Sequence, residues 1–146
     1  MITPKRQIVR LGRAGVARLY AGVDRRDGRQ CRKTGFSLGD RAEHHHRQYL
    51  SRQGSDVASN LVTLYGPGNT QGTHGWAHSS AEARLLGYSI PAFVEDVEEV
   101  PIKIMAGERG FVWARLFDDF TIGYMTEQDA ANEMRRLGIW RDGESA

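Results

Sequence analysis

Cysteine is almost missing from this chain. Cys31 is the only one in 146 residues, which excludes an intrachain disulfide and makes a reducing cytoplasm the expected setting. No apolar run approaches the ~18–20 residues that span a bilayer, so no membrane partner is expected, and MITPKRQIVR lacks the apolar stretch of a signal peptide. Internal repeats and low-complexity tracts are absent, as is any long Lys/Arg run of the kind that forms a disordered nucleic-acid tail. Histidine is scarce as well. There are five, yet His44, His45 and His46 stand side by side, although consecutive histidines are poor core material and poor helix formers.

What remains is the composition of one folded domain, with 40% hydrophobic and 26% charged residues. The net charge of +2 hides an asymmetry. Residues 1–53 carry 13 Lys/Arg against 4 Asp/Glu, a balance of +9, and residues 54–146 carry 7 against 14, a balance of −7. A positive surface at one end would attract a phosphate backbone through counterion release. A solvated basic face paired with the acidic half is the equal alternative.

Along the chain, GVARLYAGV (15–23) has strand-like content and DRRDGRQ (24–30) reads as a turn. RAEHHHRQYL (41–50) has no helical period, so the histidines are expected to end a strand. SRQGSDVAS is loop chemistry, NLVTLY (60–65) a short apolar strand, and GPGNTQGT (66–73) the strongest loop signal. HGWAHSSAEARLL (74–86) should be one helix stopped by Gly87. IKIM (102–105), GFVWARLF (110–117) and FTIGYM (120–125) form an expected antiparallel meander, and TEQDAANEMRRLG (126–138) a helix capped by Thr126. Its Ala130, Met134 and Leu137 have core spacing, and Trp113 and Trp140 are expected core residues.

The order strand, loop, strand, loop, helix suggests a site. Positions i and i+4 of a helix lie one above the other, so His74 and His78 can reach one point, and a third histidine from the neighbouring strand completes three imidazole donors. Such a set suits a borderline divalent ion and leaves a coordination position open.

The blocks EHHHR…GSDVASNLVTL…GTHGWAHSSAEARLLGY resemble the HNH endonucleases, in particular the small bacteriophage type, whose pattern runs E-x-H-H-R, then G-S-D…N-L-V-x-L, then C-H-G-x-x-H and a helix. The resemblance covers roughly residues 24–101. It implies an α+β fold with a ββα-metal core within residues 1–101, including the basic N-terminal segment. Residues 102–146, the β-meander and helix, would pack on the same domain. It also implies a metal-dependent DNA endonuclease, with His46 as general base and Asn60 holding the hairpin loop and orienting the base. His45, His74 and His78 become ligands of one divalent ion (Mg²⁺, Mn²⁺, Ni²⁺ or Zn²⁺), and Arg47 and Arg52 hold flanking phosphates of the DNA partner. The setting would be a bacterial host cytoplasm, with phage packaging proteins as further partners. A DNA-binding or packaging accessory that keeps this fold but barely cuts is the alternative.

Many such relatives carry four cysteines around a structural zinc. The matching positions here are Cys31, Thr34, Tyr65 and Thr73, so no structural zinc ribbon is expected, since such sites need four donors. Cys31 then reads as a leftover thiol, His44 as an exposed strand residue, and Trp76 as a core anchor. The acidic Glu95, Asp96, Glu98 and Glu99 read as solvated charge. A short stretch, RLYAGVDRRD…GFS, is similar to the opening strand of ADP-ribosyltransferases, with Ala21 at their arginine position.

Overall fold

The computed structural model of the protein describes residues 7–67 and 71–146. Over these the fold is α+β: α1 (Arg13–Asp27), β1 (Ala42–His46), β2 (Leu61–Tyr65), α2 (Gly72–Ser79), α3 (Ala81–Leu85), β3 (Ile102–Met105), β4 (Phe111–Leu116), β5 (Ile122–Tyr124) and α4 (Glu127–Arg136). No helix among the described residues is long and apolar enough to cross a membrane.

The first element corrects the expected strand, because GVARLYAGV lies inside α1. Val16, Leu19, Tyr20 and Val23 recur at i, i+3, i+4 and i+7, a helical stripe, and alanine and arginine favour the helix elsewhere. Leu19 and Val23 pack with Ala58 and Leu61, beside Tyr20 and Phe120, in a small second core. With no strand here, the similarity to ADP-ribosyltransferases loses its basis. The helix end is anchored by Asp27, whose buried carboxylate accepts from Arg26 at 2.8 Å, Arg32 at 3.0 Å and the Thr63 amide and hydroxyl at 3.1 and 2.9 Å. Burial alone would raise the Asp27 pKa, but the two guanidiniums and the Thr63 hydroxyl outweigh it and the net shift is downward.

β1 and β2 form an antiparallel hairpin in which His44 opposes Thr63, His45 opposes Val62 and His46 opposes Leu61. Directly opposed residues share a face and successive residues alternate. Val62 and Leu64 point into the main core, whereas Leu61 and Thr63 face α1. His45 therefore points to the core side, and His44 and His46 to the α1 side. That parity is the most consequential feature of the strand.

The expected helix over 74–86 is broken in two. Ser80 adopts an extended backbone (φ −94°, ψ 134°) and its hydroxyl accepts from the Glu82 amide, capping α3. Gly87 ends α3 with φ 87°, and a Cβ there would collide with the Pro101 carbonyl. The centre of the GPGNTQGT loop, residues 68–70, lies outside the described residues.

The meander β3–β4–β5 is antiparallel throughout, and Thr126 caps α4 by accepting from the Asp129 amide. Val62, Leu64 and Ala77 share one continuous core with Ile102, Ile104, Trp113, Met134 and Trp140. Half-buried Trp76 sits edge-on to Tyr88 at its margin. The hairpin and the C-terminal elements thus hold each other in place. The acidic run is largely occupied by the fold: Asp96 caps the turn at Glu98, the Glu98 carboxylate accepts from the Asp118 amide, and Glu99 pairs with Arg136.

Candidate metal centre

His45 reaches the centre from the core side of β1, and His74 and His78 from adjacent turns of α2. The three rings form a triangle with centroids 5.1 Å apart in every pair, and one nitrogen from each lies within 4.8 Å of the others. The set is close enough to hold a metal ion.

The hydrogen bonds orient the rings for that role. His45 Nε2 stands 2.6 Å from the Tyr88 carbonyl and must donate to it. His74 bonds the Gly66 backbone. The Nδ1 atoms of both are buried without a partner among the described residues. Two orphaned buried acceptors cost about 1–3 kcal/mol each, and a cation between them would satisfy both. A backbone carbonyl on the far nitrogen is what fixes the tautomer and aims the other lone pair at an ion. His78 is held by stacking on Tyr49, 4.5 Å between centroids, and the Tyr49 hydroxyl donates to the Ala77 carbonyl.

Electrostatics keep the rings neutral. Burial pushes the His45 pKa down to about 3, against the Tyr88 bond that raises it, and the neighbouring histidines depress it further. His74 and His78 are also lowered, burial being the main cause in each. Neutral imidazoles are the form that binds metal.

His46 ends β1 on the opposite face yet lines the same open cleft as His74, His78 and Tyr49. Its Nε2 lies 2.9 Å from Asp56 Oδ1. Burial would raise the Asp56 pKa, but the Leu11 amide on its other oxygen (3.0 Å) and the His46 ring outweigh this and lower it. Asp56 is therefore a carboxylate and accepts from Nε2–H, so in the neutral ring the acceptor nitrogen is Nδ1. The Asp56 amide bonds the Val9 carbonyl and the Ser55 hydroxyl accepts from the Val9 amide, so residues 9–11 strap this loop in place.

Asn60 is fully buried and closes the loop between the strands. Its side chain accepts from the Gln48 amide at 2.7 Å and donates to the Gln48 and Ser55 carbonyls at 3.0 and 2.9 Å. Gly54 permits the tight return, since a Cβ there would collide with the Gln48 carbonyl. The neighbouring Ser55–Asp56 segment is thereby presented to His46.

Two expectations are corrected. Arg47 does not face solvent. It is fully buried, and its guanidinium donates to the carbonyls of Gly87 (2.9 Å), Ser59 (2.8 Å), Val100 (2.8 Å) and Pro101 (3.3 Å). It is a structural hub and cannot reach a phosphate. His44 is not an exposed strand residue either, because its ring stacks on Tyr20 at 4.1 Å and bonds Asp24 at 2.8 Å. Arg52 does sit beside the centre, 4.2 Å over the Tyr49 ring, with bonds to Ser89 and Ile90.

Asp56 is the residue that sequence reading passed over. Its only signal was the Gly-Ser-Asp run in a loop. No protein-family model, no curated protein and no solved structure matches the chain.

Proposed function

We propose that the protein is a metal-dependent DNA endonuclease of the HNH type, hydrolysing phosphodiester bonds with one divalent ion. The observation that carries this reading is the conjunction on the cleft: three neutral imidazoles with two orphaned Nδ1 lone pairs, and a fourth imidazole beside them oriented by a carboxylate. In this reading β1, β2 and α2 constitute the ββα-metal core. A further support comes from the positions aligned with the missing zinc thiols. Cys31 Sγ lies 3.2 Å from the Thr73 hydroxyl, which accepts from the Tyr65 amide at 2.8 Å, so three of those four positions meet and hydrogen bonds take the place of ligation.

In this mechanism His45, His74 and His78 hold the ion. When bound, it supplies Lewis-acid stabilisation of charge on the phosphoryl and departing oxygens. His46 Nδ1 takes a proton from water as the water oxygen forms a bond to phosphorus, and the bond from phosphorus to the 3′ oxygen breaks, that oxygen taking up a proton from solvent water. Asp56 holds Nε2–H and so keeps Nδ1 in the base form. Asn60 fixes the loop that carries Asp56. The products carry 5′-phosphate and 3′-hydroxyl ends.

A plasmid-nicking assay with Mg²⁺, Mn²⁺, Ni²⁺ or Zn²⁺ tests this. Nicking should need metal, stop with chelator, and be lost in His46→Ala while DNA binding persists. Equal nicking by His46→Ala removes the base assignment. DNA binding without nicking under any metal leaves the accessory reading.

A further inference from the structure

Beyond His78 the cleft adjoins a groove of about 590 Å³, within the ~300–1,000 Å³ typical of ligand sites. Tyr49 and His78 line both spaces and form the wall they share. Three arginines line the groove, Arg52, Arg84 and Arg141, and none of its described lining residues is acidic. Arg84 and Arg141 come from residues 54–146, where acids outnumber cations 14 to 7. Two of the cations are held in fixed positions. Arg52 donates to the Ser89 hydroxyl at 3.0 Å, and Arg84 pairs with Glu144 at 2.5 Å and bonds the Ile139 carbonyl. The Arg141 side chain is exposed and lies in the field of the same Glu144 carboxylate, which also accepts from the Arg141 backbone amide at 2.7 Å.

We infer that this groove carries the nucleic-acid strand away from the metal centre, with Arg141 and Arg52 facing successive phosphates beyond the scissile one. The occupant is a polyanion because three arginines line the groove against the single Glu144 carboxylate that pairs Arg84, no acid stands along its described lining, and it adjoins the proposed site of phosphodiester chemistry. The inference rests on the nuclease reading for the identity of the strand. It extends that reading from the reacting phosphate to the flank that sets position on DNA. Because exposed backbone contacts of this kind carry no base information, they act on affinity and salt dependence.

The test uses the full chain in a His46→Ala background, loaded with Mg²⁺, and fluorescence anisotropy of a fluorescein-labelled 20-base-pair duplex across a salt series. Arg141→Ala should raise Kd about 5- to 10-fold and Arg141→Glu further, and the slope of log Kd against log salt should become shallower by about 0.7–1 for the alanine variant. Arg109→Glu, an equal charge reversal on the exposed turn before β4 and outside the groove, controls for net charge. Unchanged Kd and slope in Arg141→Glu, an equal loss in Arg109→Glu, or a parent protein that binds no DNA would each overturn the inference. Since the readout is binding, failure of the wild-type chain to cut DNA counts against the nuclease reading alone.

Discussion

Replacing Asp56 separates orientation from proton transfer. Its carboxylate touches two groups, the His46 ring and the Leu11 amide. In Asp56→Ala the ring loses a charge-assisted hydrogen bond between side chains 17% and 12% exposed. Such a bond is worth about 1.5–3 kcal/mol, which corresponds to roughly 10- to 150-fold in rate if the ring is no longer held for reaction. Asp56→Asn should be worse for turnover although closer in shape. If its carbonyl keeps the Leu11 amide, its NH₂ faces His46 Nε2, which must then accept. The ring proton moves to Nδ1, and the base is blocked. We expect Asp56→Asn to approach His46→Ala in single-turnover cleavage while melting nearer to the wild type than Asp56→Ala does. Metal affinity, read by Co²⁺ absorption, should hold in both variants. An Asp56→Asn protein cutting at the wild-type rate would refute the orienting role.

Three further outcomes follow from the same geometry. Metal at about 100 times its Kd should stabilise the fold by ~2.7 kcal/mol and raise Tm by roughly 5–10 °C; EDTA or His45→Ala should abolish the rise in a thermal melt. Arg47→Met should destabilise by about 3–5 kcal/mol, as four carbonyls lose a buried cationic partner, measured as a fall in the urea midpoint. Asp27 has a folded pKa below its unfolded value, so its contribution is complete above the ordinary carboxylate range and is lost as pH falls through the folded value. Asp27→Asn should therefore flatten the acid limb of the stability–pH curve below about pH 5, and an unchanged limb would contradict this account.

The hairpin and meander were legible because short apolar runs bounded by turn residues leave few alternatives. The helical i, i+4 pair was legible for the same local reason. The failures share a physical origin, namely that burial is a property of the assembled chain. α1 was misread since β-branched and aromatic content was weighed above the i, i+3, i+4, i+7 recurrence of Val16, Leu19, Tyr20 and Val23, and the packing of Leu19, Tyr20 and Val23 with Ala58, Leu61 and Phe120 decides for the helix. Arg47 sat beside two site histidines and looked like a phosphate ligand. Its direction follows the strand parity of His45, which the register with β2 sets. The break at Ser80 falls where its hydroxyl caps α3, a feature that the expected single helix over 74–86 did not include. Asp56 is ten residues from His46, and no local pattern announces a contact made through a closed loop and a strap from residues 9–11.

Access to the three-histidine triangle is one-sided. His45 is wholly enclosed and His74 only 7% exposed, so among the described residues the way to the triangle runs through the cleft beside His78, the opening that a DNA strand would itself use in the proposed reading. A duplex seated there would act as a stopper: loading must precede docking, and an ion in place would be trapped for the lifetime of the complex. Chelators should then strip the free protein far faster than the protein bound to uncut DNA.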